Sequence, residues 1–96
     1  MAFPKKSVKP RAKRVTFQVC ANPGSKVCIA GSFNDWNPEA HPLIDPTGTG
    51  EFAATLSLQP GTYEYKFVID GTWCVDPACM EWTQNNLGTL NSIRKV

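Results

Sequence analysis

From residue 15 to residue 20 apolar and polar positions alternate, with Val15, Phe17 and Val19 on one side and Thr16, Gln18 and Cys20 on the other. This is the period of a half-buried β-strand. The turn Asn22-Pro23-Gly24-Ser25 leads into Lys26-Val27-Cys28-Ile29-Ala30, in which Val27 and Ile29 point inward. These two segments are expected to close a hairpin. Residues 31–41 show no period and are expected to form an irregular loop. A short strand piece at Leu43-Ile44 and a flexible turn over Pro46-Thr47-Gly48-Thr49-Gly50 follow.

Alternation returns with Phe52, Ala54, Leu56 and Leu58 against Ala53, Thr55 and Ser57. Pro60-Gly61 then turns the chain into its strongest strand. There Tyr63, Tyr65, Phe67 and Ile69 face one way, and Glu64, Lys66, Val68 and Asp70 the other. Periodicity therefore puts Lys66 on the surface side. Asp70-Gly71 is a hairpin signal that leads into Trp73-Cys74-Val75. Residues 76–88 are expected to be a polar loop, and Thr89 to Val96 a last strand. No internal repeat and no helical period appears. About seven short strands separated by turn signals predict an all-β chain, an immunoglobulin-like antiparallel β-sandwich.

Composition fits that architecture. The 96 residues suffice for one domain, and eight prolines with seven glycines cut the chain into short pieces. No apolar run approaches the ~18 residues of a membrane span, and no apolar segment follows the charged N-terminus as in a secretory signal. The net charge of +2 is unevenly placed: Lys5, Lys6, Lys9, Arg11, Lys13 and Arg14 are six of the ten basic residues. From residue 15 onward four basic residues meet eight acidic ones, a balance of −4. Residues 1–13 read as a flexible basic tail and residues 14–96 as the folded domain. Such a tail is either a solvated leader or a contact for nucleic acid or another anionic surface; the solvated leader is expected, and nucleic acid is not an expected partner.

Cys20, Cys28, Cys74 and Cys79 match no common zinc spacing, so no metal and no other cofactor is expected. Without an export signal they are expected as reduced thiols in the cytoplasm. Cys20 and Cys28 flank a turn, and either face each other on paired strands or are idle.

The chain lacks the apparatus of an enzyme. His41 stands alone before Pro42, no nucleophile elbow, phosphate loop or zinc-protease motif occurs, and Asp35, Asp70 and Asp76 suit turns. Binding chemistry is better represented. Gly31-Ser32-Phe33-Asn34-Asp35-Trp36-Asn37-Pro38 and Tyr63 to Trp73 each carry a tryptophan at a turn, as platform or as plug. A pyranose has an apolar C–H face that an indole can cover and a rim of hydroxyls for lysine, asparagine and threonine. One such stack is worth roughly 1–3 kcal/mol by area. Two, offset by ordering, give affinities of about micromolar to millimolar.

Four segments occur in order: Gly31-Ser32-Phe33-Asn34-Asp35-Trp36, Tyr65 to Trp73, Asp76-Pro77 and Leu87-Gly88-Thr89-Leu90-Asn91. Together they resemble carbohydrate-binding module family 48, in particular the glycogen-binding domain of AMP-activated protein kinase β subunits. Related domains lie at the N-terminus of isoamylase-type branching and debranching enzymes. The resemblance covers about residues 14–96. It implies a non-catalytic module for α-1,4-glucan, whether glycogen, starch or maltooligosaccharides. It gives Trp36 and Trp73 the stacking role, Lys66 and Asn91 hydrogen bonds to hydroxyls, Thr89 a further contact, and Leu87 a place in the curve of the glucan. It also implies a kinase or glucan-metabolising enzyme as partner. Alternatives are a protein-interaction adaptor of the same fold and the accessory domain of such an enzyme. Trp82 and Cys79 depart from the kinase-subunit pattern; Trp82 is either a third platform or a cover for one end of the sandwich.

Overall fold

A computed structural model describes residues 12–96. Most of the expected basic tail lies outside the described residues, but Lys13, assigned to it, already opens the first strand. Seven strands make up the fold, and no helix occurs among the described residues. They are β1 (Lys13–Cys20), β2 (Val27–Gly31), β3 (Glu51–Leu58), β4 (Thr62–Ile69), β5 (Thr72–Cys74), β6 (Trp82–Gln84) and β7 (Leu90–Lys95). β1 and β3 pair antiparallel in one sheet. A second, five-stranded sheet runs β2-β4-β7-β6, with β5 also pairing β4.

The expected hairpin between the first two strands does not form. β1 pairs β3, with Lys13 opposite Leu58 and Cys20 opposite Glu51, while β2 pairs β4, with Val27 opposite Ile69. The Asn22–Ser25 turn carries the chain from one sheet to the other. Apolar alternation reads the same whether two strands lie side by side or face each other across a core, so the pattern could not separate these cases. Cys20 and Cys28 therefore do not oppose each other. Cys20 is exposed, Cys28 is buried opposite Val68, and all four thiols are free.

The Leu43-Ile44 piece is a crossing rather than a strand. Pro42 bridges Cys28 and Ile44 bridges Ala53, so the segment ties the edge of β2 to β3. This covers the free edge of β2, whose five residues are all buried.

The core lies between the inner faces: Val15, Phe17 and Val19 from β1, Phe52 and Leu58 from β3, Val27 and Ile29 from β2, and Tyr65 and Phe67 from β4. Phe17 and Tyr65 meet edge to face across the sheets at 4.9 Å, a contact worth about 0.5–1.5 kcal/mol beyond the area it buries. Arg94 of β7 stands 5.2 Å from the centre of the Phe17 ring, and its Nη2 donates to the Thr16 carbonyl at 3.4 Å, closing one side of the sandwich. β4 is the central strand. Its inward residues are core, so its alternation leaves Glu64 and Lys66 on the outer face of the larger sheet.

Candidate functional site

Three structures rise around that outer face. The first is the loop after β2. Gly31 ends the strand where a Cβ would lie 2.5 Å from the Glu64 carbonyl oxygen and 2.7 Å from the Phe33 ring, so only glycine fits. Phe33 turns inward against Phe17 at 5.8 Å between ring centres. Asn34 ties the loop down. Its Oδ1 accepts from the Gly31 amide at 3.0 Å, and its Nδ2 donates to the Ile29 carbonyl at 3.0 Å and to His41 Nδ1 at 2.8 Å. His41 thus helps to fasten the loop. Asp35 and Trp36 both adopt left-handed backbone conformations, φ 55° and 58°. For a bulky residue this costs about 1–3 kcal/mol and persists only where surroundings impose it. The result is an indole held out over the sheet.

The second is the β4–β5 hairpin. Asp70 and Gly71, at φ 50° and 83°, form a two-residue turn with Ile69 opposite Thr72. The Asp70 carboxylate accepts from the Lys26 amide at 2.8 Å. Tight closure places Trp73 directly opposite Val68 on the outer face, 43% exposed.

The third is the β6–β7 hairpin, which the sequence reading missed because it took residues 76–88 as loop. Gln84 pairs Leu90, leaving residues 85–89 as the tip. Asn85 organises that tip. Its Oδ1 accepts from the Leu87 and Thr89 amides at 2.9 and 3.1 Å, and its Nδ2 donates to Thr89 Oγ1 at 2.7 Å and to Asn91 Oδ1 at 3.0 Å. Leu87 at the apex is 88% exposed.

Between these structures runs a groove of ≈ 630 Å³. All six residues expected from the sequence line it: Trp36, Lys66, Trp73, Leu87, Thr89 and Asn91. Glu64, Asn85 and Asn86 line it as well and were not expected. Glu64 was within reach of the periodicity, two positions from Lys66 on one face; Asn85 carried the signal of an Asx turn before Gly88.

Lys66, Thr89, Asn85, Asn91 and Glu64 form one hydrogen-bonded chain along the groove. Lys66 Nζ donates to Thr89 Oγ1 at 2.9 Å, Thr89 Oγ1 accepts also from Asn85, and Asn85 holds Asn91. Asn91 Nδ2 in turn donates to Glu64 Oε1 at 3.0 Å. Asn91 is only 5% exposed and forms the floor of the groove rather than a projecting arm. One cation and one carboxylate leave the groove without net charge.

Trp82 lies elsewhere. It is opposite Ser92, whereas Asn91 on the next β7 position points into the groove, so Trp82 is on the other face of the sheet and 60% exposed. It is not a third platform in this groove. On its side Tyr65, buried in the core, donates its hydroxyl to Asp76 at 2.7 Å; burial, and then this bond, push its pKa far above the usual phenol range. Burial likewise raises the Cys74 thiol, offset in part by Lys66. Among the described residues no group of three or more His, Cys, Asp or Glu side chains could hold a metal ion, and no helix is long and apolar enough to cross a membrane.

An uncharged groove walled by indoles on the open face of an antiparallel sandwich is the form of a carbohydrate-binding module. Residues 14–96 match the family described as the glycogen recognition site of AMP-activated protein kinase, and the chain belongs to that family of glucan-binding domains. It is 40% identical over 91 residues to the human 5'-AMP-activated protein kinase subunit beta-2, covering 94% of this chain and 32% of that one. It is 39% identical over 64 residues to the rice protein FLOURY ENDOSPERM 6, chloroplastic, covering 67% of this chain and 12% of the relative. PTST homolog 2, chloroplastic, from Arabidopsis thaliana is 39% identical over 67 residues, or 70% of this chain and 12% of the relative. The chain thus spans a third or less of the length of these relatives.

Proposed function

We propose that this domain holds a single α-1,4-glucan chain in the groove described above, without chemistry of its own. Trp36 and Trp73 stack on sugar faces, Lys66, Thr89 and Asn91 meet the hydroxyl rim, and Leu87 enters the curve of a helical or cyclic glucan. The observation that carries this reading is convergence. Residues from four separate segments, 36, 64–66, 73 and 85–91, line one groove, with aromatic surface, hydroxyl-matching groups and no net charge. Glycogen, starch-like chains and maltooligosaccharides share the repeating surface this requires. The test is retention on insoluble starch and titration with maltoheptaose. Trp36→Ala and Trp73→Ala are each expected to weaken binding tenfold or more. No binding by the unaltered domain would refute the function, and undiminished binding by both variants would refute the stacking role.

A second reading adds to the first. Val75, Met80, Trp82 and Leu90 are exposed apolar side chains outside the groove. They suit contact with a kinase or glucan-metabolising enzyme, or with a neighbouring domain of a longer chain, while the groove holds glucan. A Met80→Ala/Trp82→Ala variant would then keep its glucan affinity and lose association with such a partner. Four free thiols suit a reducing compartment, cytoplasm or plastid.

A further inference from the structure

Glu64 is the only carboxylate lining the groove, and none of the stacking or hydroxyl contacts proposed so far uses it. It projects from the outer face of β4 beside Lys66, yet the two do not pair. The Lys66 ammonium donates to Thr89 instead, at 2.9 Å, and the one ion pair among the described residues joins Lys95 to Glu81. The Asn91 amide fixes Oε1 of Glu64 at 3.0 Å, and Oε2 has no protein hydrogen bond among the described residues. The carboxylate is therefore oriented through one oxygen and open through the other. Asn91 is itself held by Asn85, so the orientation is set by the same hairpin that lifts Leu87.

A sugar hydroxyl is both donor and acceptor. The Lys66 ammonium can only donate, so it satisfies hydroxyl oxygens and leaves their hydrogens without a partner. A carboxylate does the reverse, and its bonds are charge-assisted, roughly twice as strong as neutral ones. In an α-1,4-linked chain every glucose keeps neighbouring hydroxyls at carbons 2 and 3, a pair spaced to meet one donor group and one acceptor group set side by side.

We propose that Glu64 is a ligand-binding residue of the groove, accepting hydrogen bonds from the 2- and 3-hydroxyls of a glucose unit whose oxygens are met by Lys66. The inference rests on the glucan-binding reading and deepens it. It makes the groove selective for glucans with free vicinal hydroxyls, because Glu64 gains nothing from an etherified diol.

The experiment is calorimetric titration of the unaltered domain, Glu64→Gln and Glu64→Ala with maltoheptaose and with maltoheptaose methylated at its 2- and 3-hydroxyls. Glu64→Gln keeps the side-chain shape and an acceptor for Asn91, which guards against a fold effect. Binding of maltoheptaose is expected to weaken about tenfold in Glu64→Ala and by a smaller factor in Glu64→Gln. Methylation is expected to cost the unaltered domain several times more affinity than it costs Glu64→Ala. Equal affinities for maltoheptaose in all three proteins would overturn this role while leaving the glucan reading intact. An equal methylation penalty in all three would do the same. Failure of the unaltered domain to bind maltoheptaose would remove both.

Discussion

Asn85 stands just past the end of β6, and its replacement should be felt across the whole groove. In Asn85→Ala four hydrogen bonds disappear: two accepted from the Leu87 and Thr89 amides, and two donated to Thr89 and Asn91. In an exposed loop each is worth about 0.5 kcal/mol net, so the loss is about 2 kcal/mol. Two backbone bonds remain, Asn85 to the Thr89 carbonyl at 2.8 Å and Gly88 to the Asn85 carbonyl at 3.1 Å. Holding residues 86–88 costs roughly 1–2 kcal/mol each in backbone entropy, which the full set of bonds about balances. The closed loop therefore has little stability in reserve, and most of the ~2 kcal/mol passes into binding. The expected loss of maltoheptaose affinity is about tenfold, with a ceiling of about thirtyfold.

Calorimetry on Asn85→Ala, Leu87→Ala and the double variant tests how the effect travels. If Asn85 acts by holding Leu87 in place, the double variant loses less than the two single losses combined. Hydrogen exchange at the Leu87 and Thr89 amides should quicken in Asn85→Ala. Affinity within twofold of the unaltered domain, with exchange quickened, would show that loop order does not matter and refute the reasoning.

Trp82→Ala should leave glucan affinity within twofold, since Trp82 is on the face away from the groove; a tenfold loss in the same titration would place the ligand elsewhere. Gly31→Ala should cost about 3 kcal/mol in urea unfolding, because its methyl would meet the Glu64 carbonyl and the Phe33 ring at 2.5 and 2.7 Å; a loss below about 1 kcal/mol would mean that the loop gives way freely. The folded state keeps a proton on Tyr65 that the unfolded chain releases above about pH 10. The stability this gives is intact below that pH and falls above it by up to about 1.4 kcal/mol per pH unit. Urea midpoints between about pH 9 and 11 should therefore fall more steeply for the unaltered domain than for Tyr65→Phe, and parallel curves would contradict the buried hydroxyl.

Legibility followed the strength of local patterns. β1 and β3 were readable because each has one wetter and one drier face, β4 because Glu64 and Lys66 alternate with the core residues Tyr65 and Phe67, and the Asp70-Gly71 turn because two left-handed residues leave a sequence mark. β6 was not readable. It has three residues, Trp82, Thr83 and Gln84, on an open edge with its tryptophan exposed, so burial imposes no alternation on it. The false β1–β2 hairpin arose because the partners of a strand are fixed by the whole sandwich, while its apolar face is fixed locally.

The same division runs through the groove. Lys66 could be placed outward from its strand alone, and Glu64 by the same count. Leu87, Thr89 and Asn91 came only through resemblance, because their placement depends on a hairpin that local pattern does not announce. That difference bears on how the site is built. β4 is pinned from within by Tyr65 and Phe67, so Glu64 and Lys66 stand on the most rigid part of the fold. The 85–89 tip is pinned by the Asn85 side chain, two backbone bonds and the Lys66 bond to Thr89, and Trp36 by a loop in which two residues are held in left-handed conformation. A rigid polar floor with adjustable walls suits a polymer whose hydroxyl spacing is constant and whose curvature varies. Stiffening the walls would then favour one curvature over another. Replacing Gly88, at φ 82°, would strain the tip and should shift preference between linear maltoheptaose and β-cyclodextrin, whereas changes at Glu64 should lower affinity for both alike.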